Sequence, residues 1–240
     1  KMYRASGDER FRERVRYIVR ELAVCQAANG NGYVAAIPNG KHIFAEVAKG
    51  DIRSKGFDLN GGWVPWYTMH KLFAGLRDAY LYCGDHRART VWIALSDWAL
   101  RTTDGLNQEQ LQTMLACEQG GMKEVAADLY GVTGNAKYLE LAQRFTHHAV
   151  MDPLARQEDR LAGLHANTQI PKLIGCARQY ELSADPYFET AASFFWDTVT
   201  QNHSYVTGGH SDGEHFGPPR QLAKRLSANT TETCNVYNML

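Results

Sequence analysis

The sequence predicts an all-α protein built from αα-hairpins, and a repeat of tyrosines carries this prediction. Tyr80, Tyr130 and Tyr180 stand 50 residues apart, and each is followed four residues later by Gly-Asp, Gly-Asn or Ala-Asp. A fourth copy, Tyr3 with Gly7-Asp8, lies near the first residue. After each copy, apolar residues recur at steps of three and four, which is typical of an amphipathic helix. No convincing strand separates the copies, so we expect stacked hairpins that form either a solenoid or a closed helical toroid.

Each copy is interpreted as the turn between the two helices of a hairpin. The Gly ends one helix in the left-handed conformation, and the Asp or Asn after it caps the next helix. Before the turns, helices are predicted over residues 68–82, 120–132 and 169–182, with a further helix over 107–118. After the turns, helices begin near Phe11, Val91, Tyr138 and Tyr187, and a last helix begins at about Thr231.

The hairpins at the two ends are incomplete. The first begins at its turn, and the last helix has no partner. We therefore expect residues 1–240 to be a single partial domain, part of a larger helical barrel that is truncated at both ends. Residues 29–63 are rich in glycine and are predicted to lack regular structure, as either a functional loop or a flexible surface linker.

The composition excludes several classes of function. Lys plus Arg and Asp plus Glu both number 26, so the formal net charge is zero and nothing indicates nucleic acid or a membrane surface as a partner. No apolar run is long enough for a transmembrane helix. The five dispersed cysteines argue against a disulfide framework. The motifs of nucleotide-binding loops and of serine-hydrolase elbows are missing. Compartment and oligomeric state are not indicated.

The segment from Tyr205 to Cys234 is the densest in reactive side chains, and Glu214 is its first candidate. This residue stands in Gly-Glu-His-Phe-Gly, where the glycines let a ligand approach the backbone closely. Phe216 would supply an apolar wall, which suits a carboxyl group that acts as a general acid. The alternative is an ordinary solvated glutamate in a loop.

Glu232 and Cys234 form the second candidate in this segment. At the entrance of the last helix, with Thr230 or Thr231 as the N-cap, the chain is still extended and both side chains can face one site. A thiolate and a carboxylate are half of a four-ligand zinc site. The alternative is that Glu232 stabilises the helix N-terminus and Cys234 is a small buried hydrophobe.

Polar clusters also stand just before the first helix of each hairpin. In residues 63–71, Trp66 could stack on a sugar and His70 could hydrogen-bond to it, although core packing explains the aromatic residues equally well. Residues 118–122 occupy the same place in the next repeat.

The third cluster has a regular spacing. His165, Asn167 and Gln169 alternate before Pro171, which fits the first turn of a helix, and in an extended lead-in the three side chains would point the same way. Such entrances collect on one rim of a toroid. The three clusters are therefore predicted to share one pocket.

Five motifs together resemble a known family. They are WVPWYTMHKL (63–72), GGMKEV (120–125), HANTQIPK (165–172), GEHFGPP (213–219) and ETCNVYNML (232–240). They resemble the bacterial β-L-arabinofuranosidases of glycoside hydrolase families 127 and 146, and are closer to family 146. The resemblance covers essentially the whole chain. It implies an (α/α)6-barrel catalytic domain, followed in the family by β-sandwich domains that residues 1–240 do not contain. It also implies an arabinose-containing glycan, from plant cell walls or glycoproteins, as the substrate.

The resemblance further implies a retaining mechanism with a zinc-bound cysteine thiolate as nucleophile and a glutamate as acid/base. By motif, the acid/base maps onto Glu214, two zinc (Zn2+) ligands map onto Glu232 and Cys234, and the sugar contacts map onto His70 and His165. Two further zinc cysteines, one of them the nucleophile, lie in the family beyond the position of the last residue here. We therefore expect this chain alone to be inactive.

Two alternatives stay open. One is a conventional two-carboxylate glycosidase on the same barrel, in which Glu214 works with Glu232 or Asp212. The other is a carbohydrate-binding or scaffolding helical toroid without catalysis.

Overall fold

The helical repeat predicted from the tyrosine spacing is present in the structure, a computed structural model that describes residues 1–240. Twelve α-helices account for most of the chain, so the predicted all-α fold class is confirmed. Two compact units divide the residues, Lys1–Arg144 and Phe145–Leu240. The prediction of a single partial domain stays a prediction. None of the helices has both the length and the apolar character needed to span a membrane.

The first unit contains eight helices and a small antiparallel sheet. The helices are α1 (Met2–Ser6), α2 (Glu9–Asn29), α3 (Gly40–Ala48), α4 (Pro65–Cys83), α5 (His86–Thr103), α6 (Gln108–Ala116), α7 (Met122–Thr133) and α8 (Lys137–Arg144). The strands β1 (Ser54–Lys55), β2 (Asp58–Leu59) and β3 (Gly62–Trp63) pair in that order. Helices α4 and α5 form one hairpin, α7 and α8 form the next, and α4 also packs on α7.

The second unit contains four helices and the long loop that carries the candidate acids. The helices are α9 (His148–Ala155), α10 (Ala166–Ser183), α11 (Pro186–Thr198) and α12 (Thr233–Met239). A π-helical turn over Val199–His203 extends α11, and a 3-10 turn over Leu222–Arg225 interrupts the loop. Helices α10 and α11 form the third hairpin.

The turns of the repeat have the predicted chemistry. Four residues adopt the left-handed conformation at the predicted turns, namely Gly7, Gly84, Gly134 and Ala184, with φ of 68°, 64°, 68° and 55°. Asp8, Asp85 and Asp185 then cap α2, α5 and α11, since each carboxylate accepts a backbone N–H of the first turn. This local pairing of a left-handed stop with an acidic start is why a sequence repeat becomes a hairpin repeat.

The prediction that residues 29–63 lack regular structure is wrong. Helix α3 and the three strands lie within this segment. Ile43, Phe44 and Val47 lie on the buried face of α3. Their helical spacing is difficult to recognise in the sequence because the surrounding segment is rich in glycine. Two further helices were missed. Helix α1 precedes the first turn, and α9 contains Pro153, a residue that argues against a helix interior.

Aromatic side chains form the core of each unit. In the first unit, Trp66 and Phe73 of α4 and Trp92 of α5 are fully buried. In the second unit, Phe188 and Phe195 of α11 belong to a cluster that includes Phe216 from the long loop. The burial of Phe216 fixes the loop two residues beyond Glu214, so the candidate acid stands on a segment anchored in the core.

Candidate active site

Backbone hydrogen bonds hold Glu214 directly beside the start of α10. The amide N of Ala166 donates to the carbonyl of Glu214 at 2.7 Å, and the amide N of Phe216 donates to the carbonyl of Leu164 at 3.0 Å. Glu214 itself has a left-handed backbone, with φ of 65°. That conformation is uncommon for a residue other than glycine, and here it is held between two paired segments and a buried aromatic ring.

The side chains of Glu214 and His165 meet. The Oε2 atom of Glu214 lies 2.6 Å from Nε2 of His165, and the two side chains are 48% and 14% exposed. On the other side of the ring, Nδ1 of His165 lies 2.5 Å from Oγ1 of Thr168. The structure thus joins two residues that the sequence proposed separately as acid/base and sugar contact, and it leaves the carboxylate open to a ligand.

Glu214 and Glu232 line the same cavity. Its volume is about 430 Å3, and Gly213, Asn229 and Thr230 complete most of its wall. Asp212, the other carboxylate considered for a two-acid mechanism, accepts a hydrogen bond from Oγ of Ser227 at 2.6 Å. The second carboxylate at this cavity is therefore Glu232.

Glu232 and Cys234 converge at the start of α12, but the predicted cap is wrong. Glu232, and not Thr230 or Thr231, is the N-cap, because its Oε2 atom accepts the backbone N–H of Cys234 at 2.9 Å. The thiol of Cys234 contacts the same oxygen. Burial and then the hydrogen bond to Glu232 raise the pKa of Cys234 to about 12. Without a cation beside it, this thiol is protonated at neutral pH.

This pair fits part of a zinc site. Sulfur and carboxylate oxygen are both ligands that zinc accepts, and a structural or catalytic site needs three or four protein donors. No third His, Cys, Asp or Glu joins the pair in a group that could hold a metal ion. Residues 1–240 therefore offer two donors, and the remaining ligands would have to come from outside them.

His70 lies in the first unit, against two other residues singled out in the sequence. It is buried on α4, and a Cβ atom built on Gly121 would lie only 2.5 Å from its Nε2 atom. Burial lowers the pKa of His70 to about 3, so the ring is neutral at physiological pH. Gly120 also borders the ring. Two of the three polar clusters thus meet within one unit, and the prediction of one pocket shared by all three stays a prediction.

Trp66, a candidate for stacking on a sugar, is a buried side chain, whereas the nearby Trp63 is exposed. Trp66 is 1% exposed, and its Nε1 atom donates to Sδ of Met114 at 3.1 Å, which is the location of a core side chain. Trp63 is instead 72% exposed and stacks on Phe57 with ring centroids 5.2 Å apart.

The extended lead-in predicted for residues 165–169 is wrong, because α10 begins at Ala166 and Pro171 lies inside it. The side chain of Asn167 accepts a hydrogen bond from Nδ2 of Asn238 at 2.6 Å. His165 is the N-cap and keeps an extended backbone, whereas Asn167 and Gln169 follow helical directions and therefore point to different faces of α10.

Sequence reasoning missed a polar network beneath the site. Nζ of the buried Lys172 donates to Oε1 of Gln169 at 2.9 Å and lies 3.1 Å from Nδ1 of His147. Burial and then the charge of Lys172 lower the pKa of His147 to about 3. Thr168 was also missed, although its position three residues after His165 at a helix start is a usable signal. His147 has no such local signal, since it lies 25 residues from its partner.

An all-α fold of hairpins, with a loop that brings two carboxylates to one cavity, places the chain in the class of helical-barrel domains. Within that class, the family model for the β-L-arabinofuranosidase GH127 catalytic domain matches residues 1–240. The chain therefore belongs to this family.

Comparison of structures agrees on the fold. The chain is similar to a solved structure described as the GH127 β-arabinofuranosidase BT3674, with a TM-score of 0.54 and 19% sequence identity. The match covers 72% of this chain and 28% of that one. It confirms the predicted all-α helical-barrel fold, and the chain spans well under half the length of this relative. No curated protein matches the sequence.

Proposed function

We propose that this chain supplies the acid/base and two zinc ligands of a retaining β-L-arabinofuranosidase that acts on arabinose-containing glycans. Family membership supports the class of reaction. The observation that carries the proposal is the placement of Glu214, which is half exposed at a cavity that Glu232 also lines and is held by His165 at 2.6 Å. A carboxyl group that is fixed by a neighbour and open to ligand is what acid/base catalysis needs.

In this proposal Glu214 acts twice. It first gives its proton to the glycosidic oxygen while the bond to the leaving group breaks, and it later takes a proton from the water that releases the sugar. His165 orients the carboxyl group through both steps. A retaining course also needs a nucleophile, and the resemblance places that residue among cysteines outside residues 1–240.

Glu232 and Cys234 would hold the metal ion through Oε and Sγ. A zinc ion lowers the pKa of a coordinated thiol so that the thiol is deprotonated at neutral pH. That effect opposes burial and the hydrogen bond to Glu232, which raise the pKa of Cys234 in the chain as it stands. Plant cell-wall or glycoprotein arabinosides are the substrates that the resemblance favours.

Replacing Glu214 by Gln tests its role. Turnover of an aryl β-L-arabinofuranoside should fall by about 10²- to 10⁴-fold, the contribution of a positioned acid/base, while sugar binding stays nearly intact. The assay uses a polypeptide that carries residues 1–240 and the expected outer cysteines. Glu181→Gln is the matched control, since Glu181 is exposed and pairs only with Arg178 among charged groups. Unchanged turnover in Glu214→Gln would remove this residue from its assigned role.

Cobalt substitution tests the metal ligands without any activity measurement. Co2+ added to a polypeptide that carries residues 1–240 and the expected outer cysteines should give a sulfur-to-metal charge-transfer band that Cys234→Ser and Glu232→Gln both weaken, because both atoms are donors. Cys25→Ser is the control, since Cys25 is an exposed free thiol. A band of unchanged intensity in Cys234→Ser would contradict this assignment. Full turnover in the metal-free, thiol-alkylated enzyme would favour the two-carboxylate alternative, with Glu232 as partner of Glu214.

A further inference from the structure

The contact between His165 and Glu214 has a support on the far side of the ring. Thr168 is buried in the first turn of α10, and its Oγ1 atom lies 2.5 Å from Nδ1 of His165. Nε2 of the same ring lies 2.6 Å from Oε2 of Glu214. Each ring nitrogen therefore meets one polar side chain, and the three residues form a line from a helix interior to the cavity.

Hydrogen-bond chemistry assigns the proton on the ring. An ionised carboxylate only accepts hydrogen bonds, so the nitrogen that faces Glu214 carries the hydrogen. In a neutral imidazole the other nitrogen is then an acceptor, and the hydroxyl of Thr168 donates to Nδ1. The result is the Nε2–H tautomer, held from both sides.

A hydroxyl group has a property that a backbone carbonyl lacks in this position. It can donate or accept, so it can pair with either tautomer of the ring. When Glu214 carries a proton, the carboxyl O–H donates to Nε2, and Nδ1–H donates to Oγ1 of Thr168. The same line of three residues thus serves a protonated and an ionised carboxyl group, the two states that an acid/base residue passes through.

We propose that Thr168 is a positioning residue that acts on Glu214 through His165, keeping the imidazole hydrogen-bonded to the carboxyl group in both of its proton states. This rests on the proposed acid/base role of Glu214 for its meaning in catalysis. The arrangement of the ring and its proton can be measured without that role.

The test is nitrogen-15 NMR of the 240-residue chain with labelled histidine at about pH 8. In the wild-type chain, His165 should show a protonated Nε2 and an unprotonated Nδ1. Thr168→Ser keeps the hydroxyl and should give the same spectrum. Thr168→Val has the same shape without the hydroxyl, and its Nε2 hydrogen should exchange with water at least about five-fold faster, as expected for the loss of one net hydrogen bond.

Glu214→Ala removes the acceptor for Nε2–H of His165. Its spectrum provides the reference for a ring that has lost this hydrogen bond. Thr168→Ala replaces the valine variant if that variant does not fold, and circular dichroism checks the fold of both. The proposal is overturned if the valine or alanine variant keeps the wild-type exchange rate, or if wild-type His165 carries its proton on Nδ1 at this pH. A failure of the acid/base role would appear in the turnover of Glu214→Gln and leave these spectra unchanged, so the two failures can be told apart.

Discussion

At the scale of single residues, the site depends on positions where a side chain is fixed by what surrounds it. Glu214 is oriented by His165, His165 by Thr168, and Cys234 by Glu232. Each contact joins two side chains, so a substitution of one residue should change the position of its partner. The close approach of Gly121 to the buried ring of His70 allows a direct test of such a contact.

Gly121→Ala should destabilise the first unit, because the new methyl group would lie 2.5 Å from Nε2 of His70. His70 is buried on α4 and cannot turn away without disturbing the core. We expect a loss of about 1–3 kcal/mol in the free energy of unfolding, the usual cost of overpacking. Urea denaturation followed by circular dichroism measures it.

Gly75→Ala is the matched control. Gly75 lies within α4, and a Cβ atom there meets nothing within 4 Å. This change should stabilise the chain by about 0.5–1 kcal/mol, since alanine loses less backbone entropy than glycine in a helix. Equal effects of the two substitutions would show that the approach of Gly121 to His70 is not tight.

At the scale of elements, the hairpin turn is the unit that the sequence specifies best. Three of the four turns stop a helix with glycine in the left-handed conformation, whereas the fourth uses Ala184 at φ of 55°. The next helix begins directly afterwards at its Asp185 cap. The third complete hairpin thus carries local strain that the other turns avoid.

Ala184→Gly should therefore raise the free energy of unfolding by about 1 kcal/mol, because glycine has no Cβ atom to clash in the left-handed conformation. The melting temperature of the variant measures the gain. Gly84→Ala, at the equivalent turn between α4 and α5, should lose a similar amount. A loss of stability in Ala184→Gly would contradict the strain assigned to this turn.

At the scale of the whole molecule, burial decides the charge of several histidines. Burial lowers the pKa of His70 and of His147 to about 3 and that of His210 to about 4. All three are therefore neutral in the folded chain at physiological pH. An unfolded chain binds protons at these sites below about pH 6.5, where the folded chain does not.

The free energy of unfolding should consequently be highest above about pH 6.5 and should fall as the pH drops towards about 4, because protons then bind to these histidines only in the unfolded chain. Each buried histidine contributes a slope that approaches about 1.4 kcal/mol per pH unit. Urea denaturation at several pH values within this window measures the slope. His210→Leu should flatten it. A slope in His210→Leu identical to that of the wild-type chain would contradict the assignment to buried histidines.

Much of the fold follows from local rules, and what was missed has physical causes. The helices after Gly84 and Gly134 were predictable because stop and start signals act within a few residues. The segment 29–63 was not, because its short apolar run at Ile43 to Val47 gains its helix from burial against distant residues. Helix α9 was also missed, because Pro153 is a local signal against a helix. The packing of Val150 and Leu154 outweighs that signal.

By itself, the sequence determined the repeat, the all-α class and the family, and it supplied the candidate site residues, because periodicity, turn chemistry and motifs are properties of neighbouring residues. Only the tertiary structure decided which of them meet. It joined His165 to Glu214 across 49 residues of chain, buried Trp66 and exposed Trp63, and placed Thr168 behind the ring. Such pairings depend on how helices pack against one another, and that packing balances burial over the whole unit, which no short stretch of sequence contains.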